Sequence, residues 1–155
     1  MTAKRKAPLF TIGYEKATQD AVIGELARAK VQILVDTRAV AASRRPGFSK
    51  RQLAAGLDEA GIAYVHLQKL GTPTEGRKAA HSGHVDEMLR LYEKHLNTPE
   101  AQAQLEELAA LVRAGKRLCL LCYERDVNEC HRRRIAEVMH EREGVSVKHL
   151  VAPLF

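Results

Sequence analysis

The sequence predicts a single three-layer α/β domain with a mostly parallel sheet of about five strands and helices on both faces. Three observations predict it. Short runs of β-branched and apolar residues alternate with stretches whose apolar residues recur at helical spacing. One run, Leu118–Cys122 (L-C-L-L-C), is apolar throughout, as a central strand covered on both faces requires. The length of 155 residues, 45% hydrophobic and 28% charged, suits one compact core.

The elements follow in order. Leu9–Ile12 is an apolar run stopped by Gly13 and reads as the first strand. Thr18 caps a helix through about Ala29, with Ala21, Val22, Leu26 and Ala29 on one face. Val31–Val35 is the second strand, ending at Asp36. Thr37–Phe48 is a basic loop broken at Pro46-Gly47. Ser49-Lys50-Arg51-Gln52 has capping-box spacing and opens a helix that Gly61 closes. Ile62–Leu67 is the third strand. Lys69–His84 carries Gly71, Pro73, Gly76 and Gly83 and reads as a long polar loop. Val85–Leu96 is helical, and Thr98-Pro99-Glu100 opens a helix running to Gly115. Leu118–Cys122 is the fourth strand. Asn128 is placed to cap a helix from Glu129 to Arg142, and Val145–Val151 is the last strand. Residues 1–8 read as a basic flexible N-terminus and 9–155 as the domain, with no linker or internal repeat between.

Composition narrows the class. No apolar run approaches the roughly 18 residues of a membrane helix, and the N-terminus lacks a secretory apolar stretch. A cytoplasmic protein is expected. The three cysteines, Cys119, Cys122 and Cys130, are odd in number and clustered, unlike a secreted disulfide scaffold. They are core filler, metal ligands or reactive thiols. A formal charge of +6 favours an anionic small molecule or nucleic acid as partner. Arg38, Arg44, Arg45, Lys50 and Arg51 fall in a stretch without Asp or Glu, and Arg132-Arg133-Arg134 form a second block. No heptad seam or exposed apolar stripe argues for a dimer.

The chemistry gathers at Leu118–Ala136, where a strand turns into a helix carrying cysteines, a glutamate, a histidine and arginines. In a parallel sheet the strand C-termini share one rim, and ligands bind there beside helix N-termini. Gly13-Tyr14, Asp36-Thr37-Arg38, Lys69-Leu70-Gly71 and Cys122-Tyr123-Glu124 converge on it. Arg38, Arg44 and Arg132 are the candidate anion holders, since a guanidinium offers a fork of donors. Asp36 and Glu124 either orient those arginines or do acid–base work. Cys122 is the candidate nucleophile, while Cys119, deep in the strand, is expected in the core. His131 donates to an anion or bonds Glu124, and Tyr14 and Tyr123 stack on a base or fill the wall. Arg133 and Arg134 are expected in solvent, and His81 and His84 in a loop that is either simply exposed or closes over a ligand. Cys122, Cys130, His131 and Glu124 are metal-type donors, but paired C-x-x-C spacing is missing and neighbouring side chains on a helix diverge. No metal ligand set or cofactor is assigned.

Six motifs occur in order: T-I-G-Y (Thr11–Tyr14), V-D-T-R (Val35–Arg38), S-R-R-P-G-F-S (Ser43–Ser49), L-G-T (Leu70–Thr72), L-L-C-Y-E (Leu120–Glu124) and C-H-R (Cys130–Arg132). With K-H-L near the end, the set resembles the bacterial and archaeal family called domain of unknown function 488, over nearly the whole chain. The resemblance implies a compact α/β domain and no activity. That family commonly has a histidine where this chain has Tyr14, and V-D-V-R where it has Thr37. The first departure takes away a possible ligand or base.

The residues fit best a protein that binds a phosphate-bearing ligand, a nucleotide or nucleic acid, at the rim. Hydrolysis or group transfer is the chemistry such a site allows. The alternatives are a non-enzymatic nucleic-acid-binding module and a Cys/His metal or redox protein. A low aromatic content of 5% with no Trp counts against a single-strand stacking platform.

Overall fold

A computed structural model describes residues 7–154. Most of the basic N-terminal stretch, including Lys4-Arg5-Lys6, lies outside them. Five strands form one parallel sheet in the order β3-β2-β4-β1-β5. They are β1 (Leu9–Gly13), β2 (Ile33–Asp36), β3 (Ala63–His66), β4 (Leu118–Cys122) and β5 (Val147–Val151). The helices are α1 (Gln19–Arg28), α2 (Lys50–Glu59), α3 (Thr74–His81), α4 (Val85–Leu96), α5 (Pro99–Arg113) and α6 (Arg132–Glu143). No helix among the described residues is long and apolar enough to cross a membrane.

Strand alternation divides the core in two. Phe10, Ile12, Leu34, Cys119 and Leu121 pack on one face against Val22 and Leu26 of α1 and Leu53 and Leu57 of α2. Leu9, Val35, Leu118 and Leu120 pack on the other against Met88 and Tyr92 of α4, Leu105 and Leu108 of α5, and Ile135 and Met139 of α6. β4 is central and buried along its length, which explains its unbroken apolar run. β3 and β5 are edge strands, and their residues are half-buried or exposed.

Local signals explain several ends. Thr18 Oγ1 accepts from the Ala21 N–H at 3.1 Å, and Thr98 Oγ1 from the Ala101 N–H at 3.3 Å, with Pro99 in the first turn of α5. Three expectations need correction. The capping box at α2 does not form. Ser49 Oγ instead accepts from the Ser43 N–H, and Gln52 Oε1 from the Gly47 N–H, so both side chains fasten the basic loop. Lys69–His84 is not a bare loop: a 3-10 turn, Gln68–Leu70, is followed by α3. Pro73 starts that helix and Gly83, at φ +79°, ends it, while Gly76 lets it approach its neighbours. A Cβ on Gly76 would come within 2.6 Å of Thr72 Cγ2. Finally, Asn128 does not cap α6. Asp126 caps a 3-10 turn at Val127–Glu129, and α6 begins at Arg132.

Candidate functional site

The C-terminal ends of β1, β2 and β4 meet on one rim. The loops after β1 and β4 continue their pairing: the Glu15 N–H donates to the Tyr123 carbonyl at 2.8 Å and the Arg125 N–H to Glu15 Oε1 at 3.1 Å. Gly13 allows this contact, since a Cβ there would lie 1.8 Å from the Glu124 carbonyl oxygen.

At the end of β2, Asp36 is fully enclosed. Its carboxylate accepts from the Arg38 backbone N–H at 3.0 Å, from Arg38 Nε at 2.9 Å, from Arg38 Nη2 at 2.7 Å and from Tyr64 Oη at 2.5 Å. Arg38 Nη1 donates to the Phe48 carbonyl at 2.7 Å and to Tyr14 Oη at 3.2 Å. Burial disfavours the charge on Arg38, but the bonds and charge of Asp36 more than offset it, so its pKa rises. Burial and the bond to Asp36 likewise raise Tyr64. Tyr14 is buried and stacked on Phe48 with ring centroids 4.4 Å apart. The sequence places Asp36 and Arg38 at the site. The structure turns most of their polar atoms on each other, which makes Asp36 a positioning residue for Arg38.

At the end of β4, Arg132 is 1% exposed and forms no ion pair with a carboxylate among the described residues. Its donors reach Thr11 Oγ1 (3.3 Å), Cys122 Sγ (2.9 Å), the Arg125 carbonyl (3.2 Å) and the Glu124 carbonyl. Burial lowers its pKa to about 10. The expected anion holder thus knits the β4–α6 loop from within. Arg133 pairs with Glu137, and Arg134 with Glu93, Glu137 and Glu141, so the block of three arginines does not form one basic face.

Cys122 and Cys130 are joined in a disulfide, and Cys119 is a free thiol in the core. Sequence reasoning kept Cys130 and His131 apart by placing both on a helix. Cys130 is in fact extended backbone and His131 the residue before α6, so their side chains converge, with Cys130 Sγ 3.9 Å from His131 Nδ1. His131 Nε2 donates to the Thr37 carbonyl at 2.9 Å, and its Nδ1 lies 3.0 Å from Thr72 Oγ1. Burial lowers the His131 pKa to about 4, which keeps the ring neutral at pH 7. Neither Glu124 nor the helix end takes its nitrogens. Glu124 Oε2 lies 3.5 Å from Cys122 Sγ, and burial raises the Glu124 pKa.

These groups border a cavity of about 710 Å³. Of the sequence candidates, Tyr14, Arg38, Arg44, Cys122, Tyr123, Glu124 and His131 line it; Asp36 and Arg132 do not. Tyr123 is 45% exposed and meets Tyr14 edge-on at 5.4 Å. Sequence reasoning missed Arg77 and Thr72, which also line the wall. His81 is there too, on α3 rather than in a loop. The signal that finds Arg77 and His81 is the helical stretch T-E-G-R-K-A-A-H once Gly76 is read as a packing glycine.

A family model described as a domain of unknown function, DUF488, matches residues 18–139. No curated protein and no solved structure matches the chain.

Proposed function

The chain belongs to the DUF488 family, and we propose that it binds a phosphate-bearing ligand, foremost a nucleotide, in the rim cavity. One observation carries this reading. Arg44 and Arg77 both line the cavity, and neither forms an ion pair with a carboxylate among the described residues. Two guanidinium forks without an internal anion suit a phosphate. The exposed ring of Tyr123 supports base stacking at the same mouth, and Val40, Val85 and Met88 give the wall an apolar portion. If the ligand is turned over, hydrolysis or transfer at a phosphate or glycosidic centre is the chemistry the wall fits. Glu124 is then the acid–base group, and Cys122 serves as nucleophile only with its bond to Cys130 open.

The test is calorimetric binding of nucleoside mono-, di- and triphosphates and inorganic phosphate to wild type, Arg44→Ala and Arg77→Ala. Saturable binding of one nucleotide class, weakened about tenfold or more in both variants, supports the reading. If no nucleotide or phosphate binds folded wild type, the reading is wrong. The rival nucleic-acid module draws on the Arg38–Arg51 stretch and on Arg132–Arg134; the fold buries Arg38 against Asp36 and divides the second block into one buried and two ion-paired residues. Salt-sensitive binding of duplex DNA or single-stranded RNA without nucleotide binding would favour it.

A further inference from the structure

The floor of the cavity carries a second constellation. Cys122 Sγ, Cys130 Sγ and a ring nitrogen of His131 lie within 4.8 Å of one another, and all three residues are buried. Two soft donors and one borderline donor in that arrangement match a zinc-type ion.

Hydrogen bonding fixes the histidine for this role. A carbonyl only accepts, so the bond to the Thr37 carbonyl places the ring hydrogen on Nε2. Nδ1 therefore carries the lone pair, which here accepts from the Thr72 hydroxyl at 3.0 Å with Cys130 Sγ 3.9 Å away, and a cation would take the place of that hydroxyl's hydrogen. A backbone carbonyl holding the far nitrogen of a ligating histidine is the usual outer support of a metal site.

Arg132 gives an independent indication. Its buried guanidinium ion-pairs with no carboxylate among the described residues, yet Nη1 donates to Cys122 Sγ at 2.9 Å. The charges of Glu124 and Asp126 act on it through space without an ion pair, and a thiolate at 2.9 Å adds a counter-charge in direct contact, whereas a disulfide sulfur does not. The cysteine Cα atoms stand 7.3 Å apart, beyond the usual disulfide span of about 4.4–6.8 Å. Two thiolates on one tetrahedral ion sit roughly 3.8 Å apart, since each metal–sulfur bond is about 2.3 Å, and this suits the wider spacing.

We propose that Cys122 and Cys130, as a dithiol, bind one divalent zinc-type cation together with His131 Nδ1. The site leaves its fourth position open to the cavity. Cys122 and His131 both line the cavity, so an oxygen of water or of a ligand has access to that position. Loading begins with reduction. A dithiol reductant passes two electrons and two protons to the Cys122–Cys130 bond, which breaks as the reductant's own disulfide closes. The cation then displaces the two thiol protons, forming two metal–sulfur bonds and one bond to the lone pair of Nδ1. The site does not depend on the phosphate reading, because it uses neither Arg44 nor Arg77.

The experiment is a Co²⁺ titration of the full chain, reduced with dithiothreitol and freed of it without air, followed by displacement with Zn²⁺. One equivalent should bind, with thiolate-to-cobalt charge-transfer bands and tetrahedral visible absorption. Cys130→Ser should lose part of the charge-transfer intensity and weaken binding at least about tenfold, as should His131→Gln. Cys119→Ser should leave both unchanged. If a variant fails to fold, the wild-type spectrum decides. Absence of thiolate bands, a stoichiometry far below one, or equal loading of the oxidised protein overturns the proposal. So does full binding by a folded Cys130→Ser variant.

Discussion

Two arginines are buried at the rim, and the fold accommodates them in opposite ways. Arg38 lies against the Asp36 carboxylate, with the Tyr64 hydroxyl closing the far side. Arg132 lies against a sulfur, a hydroxyl and two carbonyls. Burial disfavours both charges; only Arg38 has a carboxylate to reverse the effect, whereas the pKa of Arg132 falls. The end of β2 is therefore electrostatically closed, while at the end of β4 the charges of Glu124 and Asp126 act on Arg132 through space without an ion pair.

The largest expected effect tests the closed end. Asp36→Asn strands Arg38 as a buried unpaired charge and should cost about 3–5 kcal/mol in urea unfolding. A cost near zero would show that Arg38 has another anion and would break the contrast. Arg132→Met removes a buried charge that has no ion pair, together with its donors. It leaves the Glu124 and Arg125 carbonyls short of partners, so the same assay should show a smaller loss of about 1–3 kcal/mol. A cost equal to that of Asp36→Asn would mean that Arg132 too has a full counter-ion. Arg77→Ala lies away from both buried arginines and should change stability by about 0.5 kcal/mol or less, even if it weakens phosphate binding.

The smallest effect concerns His149, whose Nδ1 lies 2.6 Å from the Thr11 hydroxyl that also accepts from Arg132. Burial lowers its pKa, with the charges of Arg132 and Arg133 adding to the effect. The folded state thus binds fewer protons than the unfolded chain near the ordinary histidine pKa. The stability it contributes is present above that pKa and is lost as pH falls through it. His149→Gln should flatten the slope of unfolding midpoint against pH in that window. An unchanged slope would show that folding leaves the proton affinity of His149 where it is in the unfolded chain.

The fold class was legible because parallel strands under helices need unbroken apolar runs. Leu118–Cys122 shows one, and its predicted bounds match β4. The rim was legible for the same reason, since strand ends are visible wherever such runs stop. Side-chain direction was not. Nothing in C-H-R tells that Cys130 is extended while α6 waits until Arg132, so convergence of Cys130 and His131 was read as divergence. Arg132 reads from sequence as the holder of an anion, because a cation in the first turn of a helix opposes the dipole and calls for a partner. Its partners are backbone carbonyls, which leave no trace in composition. The glycine in α3 hid the helix that carries Arg77, because packing against Thr72 is a tertiary reason for a residue that local propensity disfavours.

The strand order also governs when such a rim can come into being. β1 pairs only with β4 and β5, and β2 only with β3 and β4. During synthesis the first strand has no hydrogen-bonding neighbour until Leu118–Cys122 has emerged and slotted between β1 and β2. Thr37 and His131, 94 positions apart, meet only after that insertion. A chain with its central strand made fourth folds late and through distant contacts, a slow route by general experience. A product released before that strand displays open edges of β1 and β2, the kind of surface that seeds aggregation, so quality control of this protein hinges on its last quarter.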